Sequence, residues 1–147
     1  MNLKIKKIVS NYIKKYGTRD PYLMAAYLGI EVVEKPLGSI SGAYVFLKRN
    51  KIIFINSALD YKFKIVVLAH ELGHAILHPK ENCYFMKNKT LLLVSKLERQ
   101  ANIFASELLI KDDIFNYYEG LSLEYISICE YLPIELLRIK CESLNIV

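Results

Sequence analysis

The most informative stretch of the chain is VLAHELGHAILH, residues 67–78. It contains His70, Glu71 and His74 in the spacing H-E-x-x-H. Residues four apart on an α-helix lie about 40° apart around the axis and one turn along it, so both imidazoles can reach one metal ion. The carboxylate of Glu71 then lies beside the position at which such an ion activates water. The spacing therefore predicts a zinc (Zn²⁺) site on a helix.

The residues around this motif predict that the helix is buried. Residues 65–77 are all apolar or glycine except His70, Glu71 and His74. Apolar residues on every side are typical of a helix in the protein interior. Burying two imidazoles and a carboxylate costs several kcal/mol unless a partner satisfies them, and a metal ion would do so. The pattern favours metal binding over the alternative of histidines in a core or on a helix surface.

A catalytic zinc ion usually has three protein ligands, so a third must come from outside the motif. His78 continues the series, but it lies ~12 Å along the helix axis from His70, too far to share the ion. The pattern with a third histidine after a glycine turn needs glycine where the chain has Leu77 and histidine where it has Lys80. We expect His78 to end the helix as a cation. A contact with the substrate is its alternative role.

The second predicted long helix supplies the third ligand. On this helix Glu98 and Asn102 fall inside the apolar arc. Glu107 falls on the opposite side with Lys96 and Gln100, and we expect that side to face solvent. A carboxylate on a buried face needs a partner, and one on a solvated face does not. We predict Glu98 as the third zinc ligand. Asn102 is predicted to hydrogen-bond a ligating histidine and orient it, with a simple bond between helices as the alternative.

The remaining pattern predicts one α+β domain over residues 1–147, with a catalytic core at 1–120 and a helical tail at 121–147. About three strands are expected to form a small, mostly antiparallel sheet on a zincin-type helix pair. The predicted strands are 31–33, 40–47 and 51–56, the last two joined by a tight turn near Arg49 and Asn50. The predicted helices are 1–16, 21–28, 61–78, 91–110, 122–131 and 133–144, with a loop at 80–89.

Charge is concentrated in the first segment. The net charge of +5 is carried by five lysines, Lys4, Lys6, Lys7, Lys14 and Lys15. Apolar residues in the same segment recur at helical spacing, which predicts a basic amphipathic helix. We expect it to pack on the core with its lysines outward. Binding to a membrane surface or to nucleic acid is the alternative.

Composition excludes several protein classes. The longest apolar runs are far shorter than the ~20 residues that cross a bilayer, so no membrane-spanning segment is expected. The three cysteines form no C-x-x-C pair, which favours a reducing cytoplasm over a disulfide framework. The balance of 53% hydrophobic and 24% charged residues is that of a folded globular protein.

Two stretches together carry a resemblance to a known family. VLAHELGHAILH at 67–78, followed by ERQANIFASELL at 98–109, resembles the ImmA/IrrE family of bacterial metallopeptidases. The preceding sheet is echoed by GAY at 42–44 and IIFIN at 52–56, so the resemblance covers about residues 20–111. Family members have a glutamate on the third-ligand helix, in agreement with Glu98. One departure is Lys111, where many members have proline after the Leu-Leu pair.

The resemblance implies a cytoplasmic zinc endopeptidase that cleaves a helix-turn-helix repressor of a phage or other mobile element. The residues predict a matching mechanism, in which zinc polarises the carbonyl and Glu71 transfers a proton from water to the leaving amine. A strand such as 51–56, if it lies at the sheet edge, would hold the substrate as an added strand.

Two other classes of function stay open. One is a metal-stabilised regulatory or toxin–antitoxin binding module, in which His78 or Cys83 closes the zinc site as a fourth ligand. The other is a nucleic-acid binder that uses the basic first helix and the short helices after Ser122. Direct nucleic-acid binding is not expected, because no DNA-binding signature occurs and the C-terminal segment is charge-balanced.

Overall fold

The structure of the chain, a computed structural model, describes residues 2–86 and 95–146. The predicted α+β class is confirmed. The helices are α1 (Asn2–Tyr16), α2 (Pro21–Tyr27), α3 (Tyr61–Leu77), α4 (Lys96–Leu109), α5 (Ile114–Tyr117), α6 (Leu123–Glu130) and α7 (Ile134–Ser143). The strands are β1 (Glu31–Lys35), β2 (Ile40–Leu47), β3 (Asn50–Asn56) and β4 (Cys83–Met86). The predicted start of the second long helix at Leu91 lies outside the described residues.

The sheet has the strand order β1-β3-β2-β4. Strand β3 pairs parallel with β1 and antiparallel with β2, and β4 extends the sheet antiparallel to β2. The hairpin between β2 and β3 turns at Lys48 and Arg49, whose φ values are +49° and +65°. Positive φ at both central residues gives a turn whose twist matches the strands it joins. The predicted tight turn is confirmed, one residue earlier than expected.

One condition for substrate binding is not met, and one prediction about the sheet is wrong. The strand at 51–56 is not an edge strand, because β3 lies between β1 and β2. Part of the expected loop at 80–89 is strand β4, and residues 87–89 lie outside the described part of the chain. Among the described strands the two edges are therefore β1 and β4. Neither pairing could be read from local patterning, because both depend on contacts between distant segments.

Helix α3 lies between the sheet and α4, and two glycines allow these close approaches. A Cβ atom on Gly73 would lie 3.0 Å from the Ala101 Cα atom on α4. A Cβ atom on Gly42 of β2 would lie 2.5 Å from Val67 Cγ1 on α3. Real Cβ atoms do not sit at the second distance. Glycine at these positions therefore sets how near α3 comes to both of its neighbours.

The lysine-rich first helix packs on the core. Ile5 and Val9 of α1 are 3% and 2% exposed, and they belong to the main hydrophobic cluster. Lys4, Lys7 and Lys14 are exposed on the outer side. This confirms that α1 packs on the core with its lysines outward. Among the described helices, none combines the length and the apolar character needed to cross a bilayer.

Candidate metal centre

Helix α3 carries both histidines and the glutamate of the H-E-x-x-H motif into the interior. The helix begins after Asp60, whose side chain accepts a hydrogen bond from Phe63 N at 3.0 Å, and its apolar residues pack on both sides. His70, Glu71 and His74 are 2%, 0% and 0% exposed. Their burial follows from the all-round apolar character of the helix, as predicted from the sequence.

Helix α4 brings Glu98 to the two histidines. Ser95 caps this helix by accepting a hydrogen bond from Glu98 N, so Glu98 lies in the first turn. The Glu98 carboxylate lies 2.9 Å from His70 Nε2 and 3.1 Å from His74 Nε2. Ligand atoms of these three residues all lie within 4.8 Å of one another. The structure thus brings together the three residues that the sequence selected as zinc ligands.

The electrostatics of Glu98 favour its ionised form. Burial alone would raise the pKa of this carboxyl, but the close imidazoles of His70 and His74 together outweigh burial and lower the pKa far below its usual range. An ionised carboxylate is the form that binds a metal ion.

Glu71 lies beside this cluster, and its carboxyl group has a different electrostatic environment from that of Glu98. Its side chain is fully buried, and neither carboxylate oxygen has a hydrogen-bond partner among residues 2–86 and 95–146. Burial and, secondarily, the charge of Glu98 raise its pKa well above the usual value. Two neighbouring buried carboxylates of this kind call for a positive charge between them. A divalent cation held by His70, His74 and Glu98 would supply that charge.

The donor set is one that typically holds zinc. Two imidazole nitrogens and one carboxylate oxygen form the two-histidine, one-glutamate set of catalytic zinc sites, which leave further positions for water and substrate. His78 and the other described acidic side chains are not members of this cluster. Cys83, the other candidate for a fourth ligand, has a side chain that lies outside the described part of the structure.

Comparison with known proteins agrees with this geometry. Residues 25–136 match the peptidase family whose shared unit is described as the IrrE N-terminal-like domain. The chain belongs to this family of metallopeptidases. The resemblance inferred from residues 67–78 and 98–109 is therefore confirmed. The match also extends beyond the expected end near residue 111, so helix α6 lies within the shared unit of the family.

Three relatives of this metallopeptidase differ in how much of the chain they cover. It is 44% identical over 139 residues to the uncharacterized immunity region protein 2 of Bacillus phage phi105, covering 92% of this chain and 88% of that protein. It is 34% identical over 127 residues to the metallopeptidase ImmA of Bacillus subtilis strain 168, covering 84% and 75%. It is 36% identical over 75 residues to the radiation response metalloprotease IrrE of Deinococcus radiodurans, covering 50% and 22%.

Asn102 of this metallopeptidase contacts one of the histidines. Its Oδ1 atom lies 2.7 Å from His70 Nδ1, and the residue is 1% exposed. An amide oxygen only accepts, so His70 Nδ1 carries the proton and donates it. The lone pair of the ring is then on Nε2, which faces Glu98. This is the arrangement that the sequence predicted for an orienting residue, on the same helix as Glu98.

His78 ends helix α3, but the prediction that it does so as a cation is wrong. The residue is 8% exposed, and burial lowers the pKa of its imidazole. Its ring contacts His74 and Gln100. Sequence reasoning missed Gln100, which it placed on the solvated side of α4. The only sequence signal for this contact is that Gln100 lies two residues from each of Glu98 and Asn102, between the two site positions.

Glu107 also differs from the prediction. Instead of facing solvent it is 5% exposed, and its Oε2 atom accepts a hydrogen bond from Lys140 Nζ at 3.0 Å. The reason is that α1 and α7 pack on α4 in addition to α3, so every residue from 101 to 108 is buried. The helix has no solvated side over this range. A helical wheel cannot show this, because it cannot say how many neighbours a helix has.

Proposed function

We propose that this metallopeptidase is a cytoplasmic zinc endopeptidase that cleaves a helix-turn-helix repressor of a phage or mobile element. Its zinc ligands are His70, His74 and Glu98, and Glu71 is its general base. The observation that carries this proposal is the buried three-residue cluster, beside which the Glu71 carboxylate has no hydrogen-bond partner among residues 2–86 and 95–146. A structural zinc site has four protein ligands and no need of such a carboxylate.

Each residue has a defined task in peptide hydrolysis. The zinc ion, when bound, polarises the scissile carbonyl and lowers the pKa of water. Glu71 takes a proton from the attacking water and delivers it to the leaving amine. Because no described residue hydrogen-bonds its oxygens, both are available for this transfer. Gly42 lies next to this side chain, since a Cβ atom there would be in van der Waals contact with Glu71 Cγ at 3.5 Å.

The sheet suggests where the substrate chain lies. Gly42, which contacts the site through Glu71, is paired with Phe85 of β4. Among the described strands β4 is the edge on this side, so an extended peptide would add to β4 rather than to the interior strand β3. Added as a strand, the peptide would present its backbone carbonyls in a regular row near Glu71.

The relatives support the choice of substrate. One relative is named for the immunity region of a phage, and another is the metallopeptidase ImmA. The first of these names places that relative in a phage, and the resemblance described above implies a helix-turn-helix repressor as the target.

The decisive experiment replaces the proposed base. Glu71→Gln keeps the size and shape of the side chain but cannot accept the proton, so we expect cleavage to fall by ~10² to 10⁴ while zinc content stays unchanged. The assay co-expresses the protein with the helix-turn-helix repressor of the same mobile element. Repressor fragments are followed on gels, and repression is followed by a promoter fused to a reporter.

The same assay separates the enzyme from a metal-stabilised binding module. A binding module releases the promoter without cutting, so Glu71→Gln would release it as well as the wild type does and leave the repressor intact. That result would overturn the hydrolase proposal. Loss of both fragments and promoter release supports it. Exposed Lys80→Ala, near the same helix, is the matched control and should behave as the wild type does.

A further inference from the structure

His78 connects one proposed zinc ligand to the opposite helix. Its Nδ1 atom lies 3.2 Å from His74 Nδ1, and its Nε2 atom lies 2.6 Å from Gln100 Oε1. The contacts run in a chain from α3 through the imidazole of His78 to α4. His78 is not among the residues that can share the metal ion, so these contacts give it no direct part in metal binding.

The hydrogen-bond chemistry of the contacts between His74, His78 and Gln100 determines where each proton lies. The amide oxygen of Gln100 only accepts, so His78 Nε2 carries a proton. In a neutral imidazole the other nitrogen then offers a lone pair, and His78 Nδ1 accepts from His74 Nδ1. His74 in turn has its own lone pair on Nε2. That atom faces Glu98 at 3.1 Å.

The position of His78 is held by contacts independent of its side chain. Its backbone N–H donates to His74 O at 2.7 Å, although φ of −133° and ψ of 58° take it out of the helix. Pro79 has no N–H for the Ala75 carbonyl, and Lys51 Nζ of β3 donates to that carbonyl at 3.0 Å instead. The hydroxyl of Tyr44, on β2, donates to Pro79 O. The sheet therefore fixes the backbone on both sides of His78.

We propose that His78 and Gln100 are positioning residues that hold the His74 ring with its Nε2 lone pair directed at the metal. This inference rests on the proposed function. The two ligating histidines are then oriented by two amides of α4, His70 directly by Asn102 and His74 through His78 by Gln100. Loss of an outer partner of this kind typically costs 10- to 100-fold in metal affinity.

Three substitutions at position 78 separate the two contacts. In asparagine the Oδ1 atom occupies the place of Nδ1 in histidine, so His78→Asn keeps an acceptor for His74. In glutamine the polar atoms occupy the place of Nε2, so His78→Gln keeps only the contact with Gln100. His78→Phe keeps the ring and removes both. We expect His78→Phe and His78→Gln to weaken zinc affinity by ~10- to 100-fold and His78→Asn to restore most of it.

Zinc affinity is measured by competition with a chromophoric chelator, and Co²⁺ absorption spectra report the ligand geometry. Lys80→Ala, an exposed change at the same helix end, is the control and should match the wild type. Thermal unfolding of each metal-free variant checks that the fold persists. Should His78→Phe not fold, Gln100→Met removes the last acceptor from α4 and tests the same relay. The proposal would be overturned if His78→Phe, or Gln100→Met where it is used instead, bound zinc as tightly as the wild type does.

A second measurement does not require the metal. Nitrogen-15 NMR of the histidine rings in the metal-free protein distinguishes a protonated from an unprotonated ring nitrogen. We expect the His78 proton on Nε2 and the His74 proton on Nδ1. A His78 ring with its proton on Nδ1, or a His74 ring with no proton on Nδ1, would overturn the relay. If the wild type bound no zinc, the proposed function would fail, whereas this spectrum would still decide the relay.

Discussion

Two glutamates on one helix show how differently a buried carboxylate can be used. Glu98 and Glu107 lie nine residues apart on α4 and are 7% and 5% exposed. Glu98 faces two imidazoles of α3, whereas Glu107 faces the ammonium group of Lys140 on α7. Burial is the same at both ends of the helix. The difference lies in the partners.

The Glu107 end is built as an ion-pair network. Lys140, itself 1% exposed, pairs with Glu107 at 3.0 Å and with Asp112 at 2.6 Å, and Lys6 reaches Asp112 from α1 at 3.3 Å. Arg19 donates to the Glu107 and Leu108 carbonyls, the last turn of α4, where a cation also suits the helix dipole. These contacts join α1, α4 and α7.

At the Glu98 end, none of the described ion pairs of Glu98 involves a lysine or an arginine. Beside it, Glu71 has no hydrogen-bond partner among the described residues. A protein ammonium group completes one end, and at the other end the proposed metal ion would supply the positive charge. The comparison teaches that a buried carboxylate marks a metal site only when its partners are themselves ligands.

The largest effect is expected from changing the two glutamates in turn. Glu98→Gln should lose more zinc affinity than the ~10- to 100-fold caused by removing an outer partner, because an amide oxygen is a poor replacement for an ionised ligand. Glu107→Gln is the matched control and should bind one zinc per chain. Metal analysis after dialysis measures both. Full zinc content in folded Glu98→Gln would move the third ligand elsewhere.

A smaller effect is expected from breaking the ion pair at the other end. Lys140→Met leaves Glu107 buried without its cation, so the free energy of unfolding should fall by about 3–5 kcal/mol. Adding Glu107→Leu removes the stranded charge and should recover most of that loss. Urea unfolding of the metal-free proteins measures both. A double variant no more stable than Lys140→Met would show that packing, rather than charge, holds α7 on α4.

The smallest effect is expected at the exposed member of the network. Hydrogen bonding to Lys140 lowers the pKa of Asp112 in the folded protein. Its stabilising contribution is therefore complete above the unfolded pKa of about 3.9 and is lost as the pH falls through the lower folded pKa. Asp112 is largely exposed, so Asp112→Asn should cost less than about 1 kcal/mol at neutral pH.

The pH dependence of the stability of Asp112→Asn tests this explanation. As the pH falls from about 4 through the lower pKa of the folded state, the Asp112 carboxyl of the wild type becomes protonated, so the stability of Asp112→Asn and of the wild type should converge in urea unfolding. A difference that widens in acid would contradict this origin of the effect.

Prediction from the sequence succeeded where chemistry and local geometry agree. The spacing of His70 and His74 is a property of any helix, and the apolar arc of α4 picked out Glu98 and Asn102 because those residues do lie against α3. The same arc misplaced Glu107 and Gln100. The arc assumes that a helix has one buried side. That assumption holds for a helix that packs on one layer only, and it fails for α4, which packs on α3 and is also covered by α1 and α7.

The sequence by itself determined the α+β class, the buried metal-binding motif and the family, because these depend on residue types repeated at short, fixed spacings. Only the tertiary structure decided that β3 is an interior strand, that β4 is an edge, that Lys140 meets Glu107, and that His78 joins His74 to Gln100. These four features bring together residues that local periodicity does not relate. Their partners are selected by the packing of whole helices and strands, which no short window of the sequence contains.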